Sequence, residues 1–488
     1  MKANTQQDLQ ETHRRRKKRE SLLETLESIV VAFVLAFVFR AFVVEAFVIP
    51  TGSMAPTLNG AHLEFECPDC GYEFAMGAEN RRVGPPLCPN CFLPQPLSRR
   101  GVPLYSGDRL LVLKFLYDFE QPRRWDVMVF RNPNQPTENY IKRLVALPGE
   151  TLELVRGDVT INGRIVQKAD KVQEALWMLV HDTRYRPTRS EWTPRWTYDL
   201  GWQAEGTGFR MKQTNGKVAW LTYKHRDPRG NRSPILDFYA YNSGSNGPCL
   251  GSNVCADLGL RGEIAAEDAA SVVLVELWAY KDRFRFELTA EGSERPTRIL
   301  KNGQPVAEVP GGVLPVGRAV EFLAANVDHK LMLLVDGRRI AEPVGGSVAP
   351  QGDPLCEPTP TTEEERYQIA HQVGKTSGVR LGARGGPVAV GYLRLDRDVY
   401  YTSHDVGGRR LDPGHAIEGR PLTLKADEFF VLGDNSPKSS DSRLWNLPRP
   451  VAPRRNLVGK AIFVYWPSAG RRHGIPLAPD PTGWRFVH

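Results

Sequence analysis

The run FVIPTGSMAPTL, residues 47–58, determines how this chain is organised. An apolar segment reaches Pro50, turns through Thr51 and Gly52, and presents Ser53 shortly before a second proline. Proline interrupts regular structure, and glycine permits a tight turn beside a ligand. Most turns of this composition carry a solvated hydroxyl. A catalytic interpretation of Ser53 therefore depends on partners elsewhere in the chain.

A basic cluster and an apolar segment precede this turn. Residues 14–19 are consecutive cations, and residues 22–49 are mostly Val, Ala, Phe, Ile and Leu. A helix of about 20 such residues spans a bilayer core of about 30 Å. We therefore predict a cytoplasmic tail over 1–21 and a membrane anchor over 22–49, whose spanning part covers about 22–42 with Arg40 at the far interface. A cleaved leader has the same order, but no small-x-small site precedes the polar region.

Two Cys-x-x-Cys pairs follow the turn. Cys67 and Cys70 are separated by 17 residues from Cys88 and Cys91. This spacing is typical of a Cys₄ zinc ribbon, which we predict over residues 61–103. Four thiolates close the coordination sphere, so the predicted zinc is structural. Two disulfides are the alternative, because the segment is expected to lie in an oxidising space.

Three strands are predicted next, over 107–115, 124–131 and 140–150. In the third, Tyr140, Lys142 and Leu144 share one face because side chains alternate along a strand. Most lysines on such a face snorkel or pair with an acid. A lysine that is buried without an acid has a lowered pKa. Such a neutral amine is able to accept the proton of Ser53 without a histidine.

Two later blocks complete a recognisable pattern. They are FVLGDNSPKSSDSR over 430–443 and GKAIFVYWP over 459–467. Together with residues 49–58 and 140–143, these blocks resemble the type I signal peptidases in sequence and in order. The resemblance covers about residues 20–60, 104–166 and 400–470, less than half of the chain.

This resemblance implies a Ser–Lys dyad, with Ser53 as the nucleophile and Lys142 as the general base. It also implies an oxyanion hole formed by the Thr51 hydroxyl and the Ser53 backbone N–H. Further residues take supporting roles by the same resemblance: Ser439 orienting the lysine, Asp441 with Arg443 as an ion pair, Asp434 and Arg143 as neighbouring charges, and Met54 behind the nucleophile. Ser436 is a departure, because the family often carries arginine there.

Residues 167–401 form a long insertion that a minimal enzyme of this kind does not need. Short strands are predicted at 271–280, 283–289, 319–324, 330–335, 339–340, 388–395 and 399–401. Their spacing indicates a β-sandwich, and residues 326–337 resemble laminin-G or concanavalin-like jelly rolls. Several tryptophans lie at the start of the insertion, among them Trp192, Trp196, Trp202 and Trp220. They are compatible with a sugar-binding platform or with packing in a core or domain interface, and packing is favoured. We also predict a Cys249–Cys255 disulfide, leaving Cys356 unpaired.

The predicted fold is mainly β, with one N-terminal transmembrane helix. An antiparallel catalytic core comprises 50–60, 104–166 and 402–488, interrupted by the zinc ribbon and the β-sandwich. The implied function is removal of signal peptides from exported preproteins at the outer face of a bacterial cytoplasmic membrane. The expected partners are signal peptides, the lipid bilayer and an envelope ligand of the insertion, with no nucleic acid and no catalytic cofactor.

The alternative is a membrane-tethered envelope adaptor that uses both inserts on an inactive peptidase frame. Such a frame is expected to lose Ser53, Lys142 or Ser439, and all three are present. A histidine-based triad is a further alternative, but none of the ten histidines lies in a block comparable to that of Lys142.

Overall fold

The computed structural model describes residues 23–35, 37–38, 43–79, 85–95, 104–212, 216–243, 251, 253–341, 377–402, 414–466 and 484–488. Over these residues the chain is mainly β, as predicted. The basic cluster at 14–19, Arg40, Cys249 and Cys356 lie outside them.

Strands account for most of the ordered elements. Those before the insertion are β1 (Val44–Val48), β2 (His62–Glu66), β3 (Glu73–Gly77), β4 (Leu104–Tyr105), β5 (Arg109–Leu113), β6 (Val127–Arg131), β7 (Asn139–Ala146), β8 (Thr151–Val155), β9 (Asp158–Ile161) and β10 (Arg164–Ile165). Those of the insertion are β11 (Met178–Asp182), β12 (Trp196–Tyr198), β13 (Trp202–Glu205), β14 (Gly208–Met211), β15 (Ala219–Tyr223), β16 (Leu258–Ala266), β17 (Val272–Ala279), β18 (Asp282–Thr289), β19 (Thr297–Lys301), β20 (Gln304–Val309), β21 (Ala319–Val327), β22 (Lys330–Val335), β23 (Arg338–Ala341), β24 (Ser377–Arg384) and β25 (Val388–Arg397). The remaining strands are β26 (Leu422–Thr423), β27 (Glu428–Leu432), β28 (Ala452–Pro453), β29 (Leu457–Trp466) and β30 (Arg485–Phe486).

Among the described residues, three α-helices accompany the strands: α1 (23–35 and 37–38), α2 (Leu116–Phe119) and α3 (Asp170–Leu176). The apolar side chains of α1 are exposed, with Leu35 63% and Phe37 66% accessible. Within the stretches that the structure describes, no helix is both long and apolar enough to cross a membrane.

The predicted anchor is wrong at its C-terminal end. Residues Val44–Val48 form strand β1, which pairs antiparallel with β5 from Val44 opposite Leu113 to Val48 opposite Arg109. Glu45 also forms an ion pair with Lys114. A short apolar run is compatible with a strand as well as with a helix. In this run, pairing with β5 stabilises the strand. These residues therefore belong to a β-sheet, which we call the first sheet.

The first sheet has the strand order β1-β5-β29-β6-β7-β27-β28, and β30 pairs with β29. All of its pairings are antiparallel, as predicted. Strand β1 leads directly into the turn that contains Ser53, and the central strand β7 contains Lys142. A second sheet of order β10-β9-β8-β26 extends the core. The fold thus joins the N-terminal serine segment to strands from both ends of the chain.

The insertion contains two antiparallel sheets, of order β13-β14-β25-β16-β21-β22-β23 with β11 on β25, and β12-β15-β24-β17-β18-β19-β20. Their facing sides enclose the largest apolar cluster of the described chain, so the predicted β-sandwich is confirmed. Trp196 and Trp202 are buried in this cluster, as the packing interpretation predicts. The polar opening of the insertion nevertheless supplies β11 to β15, which its weak pattern did not reveal.

The segment with the cysteines forms a small sheet of order β3-β2-β4. Because β4 pairs with His62 and Leu63, the insert extends slightly beyond the predicted end at residue 103. It contacts the sandwich region closely: the Asn90 amide donates to the Tyr185 carbonyl at 2.6 Å and accepts from the Asp182 backbone N–H at 2.7 Å. The two inserts are therefore packed against each other.

Candidate active site

The serine turn is a short 3₁₀ helix, Gly52–Met54, at the end of β1. Ser53 is 9% exposed, whereas Thr51 is exposed and its side chain makes no capping hydrogen bond. Met54 is fully buried in an apolar cluster, as expected for the residue behind the nucleophile. A Cβ atom at Gly60 would lie 2.1 Å from the Thr51 carbonyl carbon, so this glycine permits the close packing that fixes the turn.

Lys142 reaches this turn from β7. Its Nζ donates a hydrogen bond to Ser53 Oγ at 2.8 Å, and its side chain is buried with 4% exposure. Tyr140 and Leu144, two residues away on either side, contribute to the apolar cluster on one face of β7. The predicted burial of this lysine on an apolar strand face is thus observed, and the amine lies within reach of the serine hydroxyl.

The surroundings of Lys142 set its proton affinity. Burial lowers the pKa of Lys142 to about 8, although the charges of Asp441 and Asp434 limit the decrease. Both acids are already paired with arginines, Asp434 with Arg143 at 2.7 Å and Asp441 with Arg443 at 2.8 Å. With a pKa near 8, about a tenth of the amine is neutral at pH 7. The arrangement therefore supplies a base at ordinary pH.

The first of these ion pairs locks β7 to the end of β27. Arg143 and Asp434 are both fully buried and share two hydrogen bonds, of 2.7 and 2.8 Å. Arg143 also donates to the Trp125 carbonyl at 2.9 Å and to Thr57 Oγ1 at 3.2 Å. This satisfied network fixes the strand that carries Lys142, because a buried ion pair stabilises only when its remaining polar atoms are bonded.

The second ion pair orders the loop after β27. Asp441 accepts a hydrogen bond from the Gly433 backbone N–H at 3.0 Å while it pairs with Arg443. Arg443 also donates to Ser436 Oγ at 2.7 Å, and that hydroxyl accepts from the Thr402 backbone N–H at 2.9 Å. Ser436, which departs from the family pattern, thus accepts a hydrogen bond from Arg443, where an arginine would add a second cation.

Ser439 differs from its predicted role. It is buried beside the turn, since a Cβ atom at Gly433 would lie 2.2 Å from Ser439 Oγ and 2.4 Å from the Ser53 carbonyl oxygen. Its hydroxyl has no hydrogen-bond partner in the part of the chain that the structure describes. The predicted hydrogen bond that orients Lys142 is therefore absent, because the amine is directed towards Ser53 instead.

Two asparagines at the site were not predicted. The Asn435 side chain donates to the Gly52 carbonyl at 2.9 Å, and its backbone N–H donates to the Ser53 carbonyl at 3.1 Å. Its amide also pairs with that of Asn242, which comes from the insertion. The Gly-Asp-Asn sequence at 433–435 offered a signal for Asn435. Asn242 lies in a polar stretch without any motif, so no local signal was present.

The four cysteines of the ribbon converge. Their Sγ atoms all lie within 4.8 Å of one another, and the Cys67–Cys91 and Cys70–Cys88 pairs are 3.6 Å apart. All four are free thiols, so the disulfide alternative is wrong. A tetrahedron with metal–sulfur bonds of about 2.3 Å has edges of about 3.8 Å. The residues thus fit a Zn²⁺ ion, for which the thiolates would be the complete ligand set.

Cys255, the described half of the predicted Cys249–Cys255 disulfide, is a buried free thiol. Burial raises the pKa of Cys255 to about 12. This cysteine is therefore part of the sandwich core and not half of a disulfide.

A buried serine hydroxyl bonded to a buried amine is the arrangement that a Ser–Lys type of hydrolytic site requires. Comparison with known proteins agrees with that class. The family model described as "Signal peptidase, peptidase S26" matches residues 22–66, 102–196 and 387–466. These ranges contain the serine turn, the lysine strand and the 430–443 block, and they leave most of the insertion unmatched.

Curated relatives carry the same description. Signal peptidase I of Pseudomonas fluorescens is 30% identical over 196 residues, which cover 37% of this chain and 57% of the relative. That of Pseudomonas aeruginosa is 33% identical over 147 residues, covering 30% and 39%. That of Rickettsia bellii is 23% identical over 188 residues, covering 37% and 53%. The chain thus spans about half the length of these relatives, and the similarity supports a type I signal peptidase.

Solved structures match the chain only distantly. A carbohydrate-binding module CBM66 from Bacillus subtilis matches with a TM-score of 0.24 and 11% identity, covering 40% of this chain and 91% of the module. The exoplasmic/lumenal domain of VIP36 matches with a TM-score of 0.25 and 10% identity, covering 43% and 86%.

Proposed function

We propose that this protein is a serine endopeptidase that removes signal peptides from exported preproteins, with Ser53 as nucleophile and Lys142 as general base. The observation that carries the proposal is the 2.8 Å hydrogen bond between Lys142 Nζ and Ser53 Oγ, made by a lysine that is 4% exposed. The similarity of the surrounding segments to signal peptidases I supports the substrate class.

The chemistry follows from the two groups. In the neutral form, the Lys142 amine accepts the Ser53 proton while the oxygen attacks the substrate carbonyl. The resulting oxyanion is stabilised by the Thr51 hydroxyl and the Ser53 backbone N–H, whose role stays a proposal. Protonated Lys142 then donates to the leaving amine, and a water molecule activated by the same amine releases the acyl group.

The substrate has an open strand edge beside the dyad. Strand β27 pairs with β7 only from Arg143 to Ala146, and Arg143 lies opposite Leu432. Residues 139–142 pair with β6 on their other side. An extended peptide would add to this edge by β-pairing, next to Lys142. Small substrate side chains at the first and third positions before the cut would then face the site.

Membrane attachment is part of the proposal. Helix α1 exposes a continuous series of apolar side chains, which in a soluble chain would favour aggregation. We assign this segment to the bilayer of the bacterial cytoplasmic membrane, with the N-terminus inside and the catalytic core at the outer face. Alkaline carbonate extraction of membranes is expected to retain the full chain in the pellet, and release of the intact chain into the supernatant would contradict this assignment.

The Cys₄ cluster would hold one structural Zn²⁺. Elemental analysis of the purified full chain should give one zinc per chain, and Cys88→Ser should lower both the zinc content and the melting temperature. Zinc at background level in the unsubstituted protein, with the four thiols of the cluster free to react, would exclude the metal.

The function is tested by cleavage of a preprotein by the unsubstituted protein, Ser53→Ala and Lys142→Ala. We expect processing that both substitutions abolish, with a loss of about 10³-fold or more. Asn326→Ala is a matched control, because this buried amide lies on β21 of the sandwich and contacts Asp257 instead of the dyad. Normal cleavage by Lys142→Ala would contradict the proposal.

A further inference from the structure

The insertion reaches the serine turn through one short element. This is the 3₁₀ helix Ala240–Asn242, which follows Tyr239. Asn242 is 9% exposed, and it lies 193 residues away in sequence from the asparagine that it contacts, Asn435. The family model ends its second segment at residue 196 and resumes at 387, so it leaves Asn242 unmatched.

The two side-chain amides form a reciprocal pair. Asn242 Nδ2 donates to Asn435 Oδ1 at 2.6 Å, and Asn435 Nδ2 donates to Asn242 Oδ1 at 2.8 Å. Asn435 Nδ2 donates in addition to the Gly52 carbonyl at 2.9 Å. Both amide hydrogens of Asn435 are thus used, one on the insertion and one on the residue before the nucleophile.

This arrangement fixes the orientation of Asn435. If the Asn435 amide rotated by half a turn, its oxygen would face the Gly52 carbonyl oxygen, and that contact repels. Without Asn242, the Asn435 oxygen loses its donor inside the protein and the amide loses the pairing that holds its plane. A buried amide that is left half-bonded reorients or admits water. The Gly52 carbonyl then loses its side-chain donor and keeps only the longer hydrogen bond from the Ala55 backbone N–H, at 3.2 Å.

The neighbouring tyrosine supports the same turn by packing. A Cβ atom at Gly52 would lie 2.1 Å from Tyr241 Cε1, so the fully buried Tyr241 ring covers the Cα of Gly52. The same ring lies against Gly77 at the end of β3, where a Cβ atom would lie 2.6 Å from Tyr241 Cε1. The tip of the insertion therefore fills the space between the serine turn and the cysteine-containing insert.

These contacts connect the insertion to the turn that contains Ser53. We infer that Asn242 is a positioning residue of the active site: it holds Asn435 so that Asn435 fixes the Gly52–Ser53 turn against Lys142. This inference rests on the proposed peptidase function. It predicts that the catalytic core depends on the insertion for its turnover rate, since the turn that carries the nucleophile is held from outside the matched peptidase segments.

The test is a double-mutant cycle on the full chain, with a synthetic peptide that spans a signal-peptide cleavage junction as substrate. The variants are Asn242→Ala, Asn435→Ala and the double substitution, and kcat is expressed per folded molecule from a thermal unfolding curve. Asn242→Ala should lower kcat about tenfold or more while KM changes less than about threefold. The double variant should be no slower than Asn435→Ala, within about twofold.

Asn326→Ala serves again as the control, since it truncates a buried amide of the same insertion away from the turn. It should keep kcat within about twofold of the unsubstituted protein, whatever its effect on melting temperature. Two results would overturn the inference: an Asn242→Ala kcat within twofold of the unsubstituted protein, or Asn242 and Asn435 effects that simply multiply. Failure of the unsubstituted protein to cleave would instead overturn the proposed function.

Discussion

Two lysines of this chain are almost equally buried, and their surroundings make them opposites. Lys142 is 4% exposed and Lys168 is 5% exposed. Lys142 donates to a serine hydroxyl, whereas Lys168 Nζ lies 2.6 Å from an Asp328 oxygen and 2.7 Å from an Asp398 oxygen. Burial of an ammonium group is thus not sufficient to create a base.

The difference lies in the partners. Burial lowers the pKa of both lysines, but the carboxylates of Asp328 and Asp398 more than offset burial at Lys168 and raise its pKa above the ordinary value. At Lys142 the nearest acids are paired with arginines, and the pKa falls to about 8. Lys168 is therefore a permanently charged structural group between the core and the sandwich, and Lys142 is available for proton transfer.

The largest expected difference between the two lysines is in cleavage activity after each is replaced by arginine. Arginine stays protonated at all assay pH values, so Lys142→Arg should lose about 10³-fold or more in kcat/KM. Lys168→Arg preserves the charge beside its two acids and should remain within about threefold of the unsubstituted protein. The measurement is peptide cleavage at a temperature where each variant is folded. Equal losses in the two variants would remove the distinction between the lysines.

Replacement of each lysine by methionine should change stability in opposite directions. Lys168→Met leaves two buried carboxylates without a cation and should cost about 3–5 kcal/mol. The lowered pKa of Lys142 corresponds to a cost of about 3 kcal/mol in folding stability, which Lys142→Met removes. Because the substitution also removes one hydrogen bond, the net result should be a stabilisation of the folded protein by about 1–3 kcal/mol. Urea unfolding at pH 7 measures both.

The gain in stability expected for Lys142→Met should depend on pH. The unfolded chain holds the Lys142 proton up to its ordinary pKa of 10.5, whereas the folded chain releases it near 8. Stability of the unsubstituted protein therefore rises with pH across this interval, and the advantage of Lys142→Met should shrink between those values. An advantage that is independent of pH would show that the lysine is not the cause.

The smallest effect is expected at Ser439. Its hydroxyl makes no hydrogen bond within the described part of the chain, so Ser439→Ala removes no contact to Lys142. We expect a loss of about tenfold or less in kcat and a stability change within about 1 kcal/mol. Lys142→Arg is the reference for this prediction. If Ser439→Ala lost as much activity as Lys142→Arg, Ser439 would be the residue that orients the lysine.

Local sequence patterns were sufficient for much of the site. Ser53, Lys142 and the two arginine–aspartate pairs lie in short runs whose turn residues, alternation and resemblance to a family can be recognised without a structure. The cysteine spacing likewise predicted a four-thiol cluster, since each pair forms its own turn. These features are encoded over a few neighbouring residues.

The rest depended on contacts between distant segments. Asn242 contacts Asn435 across 193 residues, and Lys168 contacts its acids across 160 and 230 residues, and neither Asn242 nor Lys168 lies in a motif. Val44–Val48 falls within the predicted anchor, beyond its spanning part, because its apolar composition fits a helix and a strand alike, and only pairing with β5 distinguishes the two. Tertiary packing decides each of these cases, and one sequence does not display it.

We propose that burial beside a hydroxyl, without an unpaired acid, makes Lys142 the catalytic base. The dependence of kcat/KM on pH tests it most directly, since this parameter reports the ionisation of the free enzyme. The structure predicts activity that rises with pH through an apparent pKa of about 8, because only the neutral amine accepts the Ser53 proton. A rise centred near the histidine value of about 6.5, or no change between about pH 6 and 9, would contradict it.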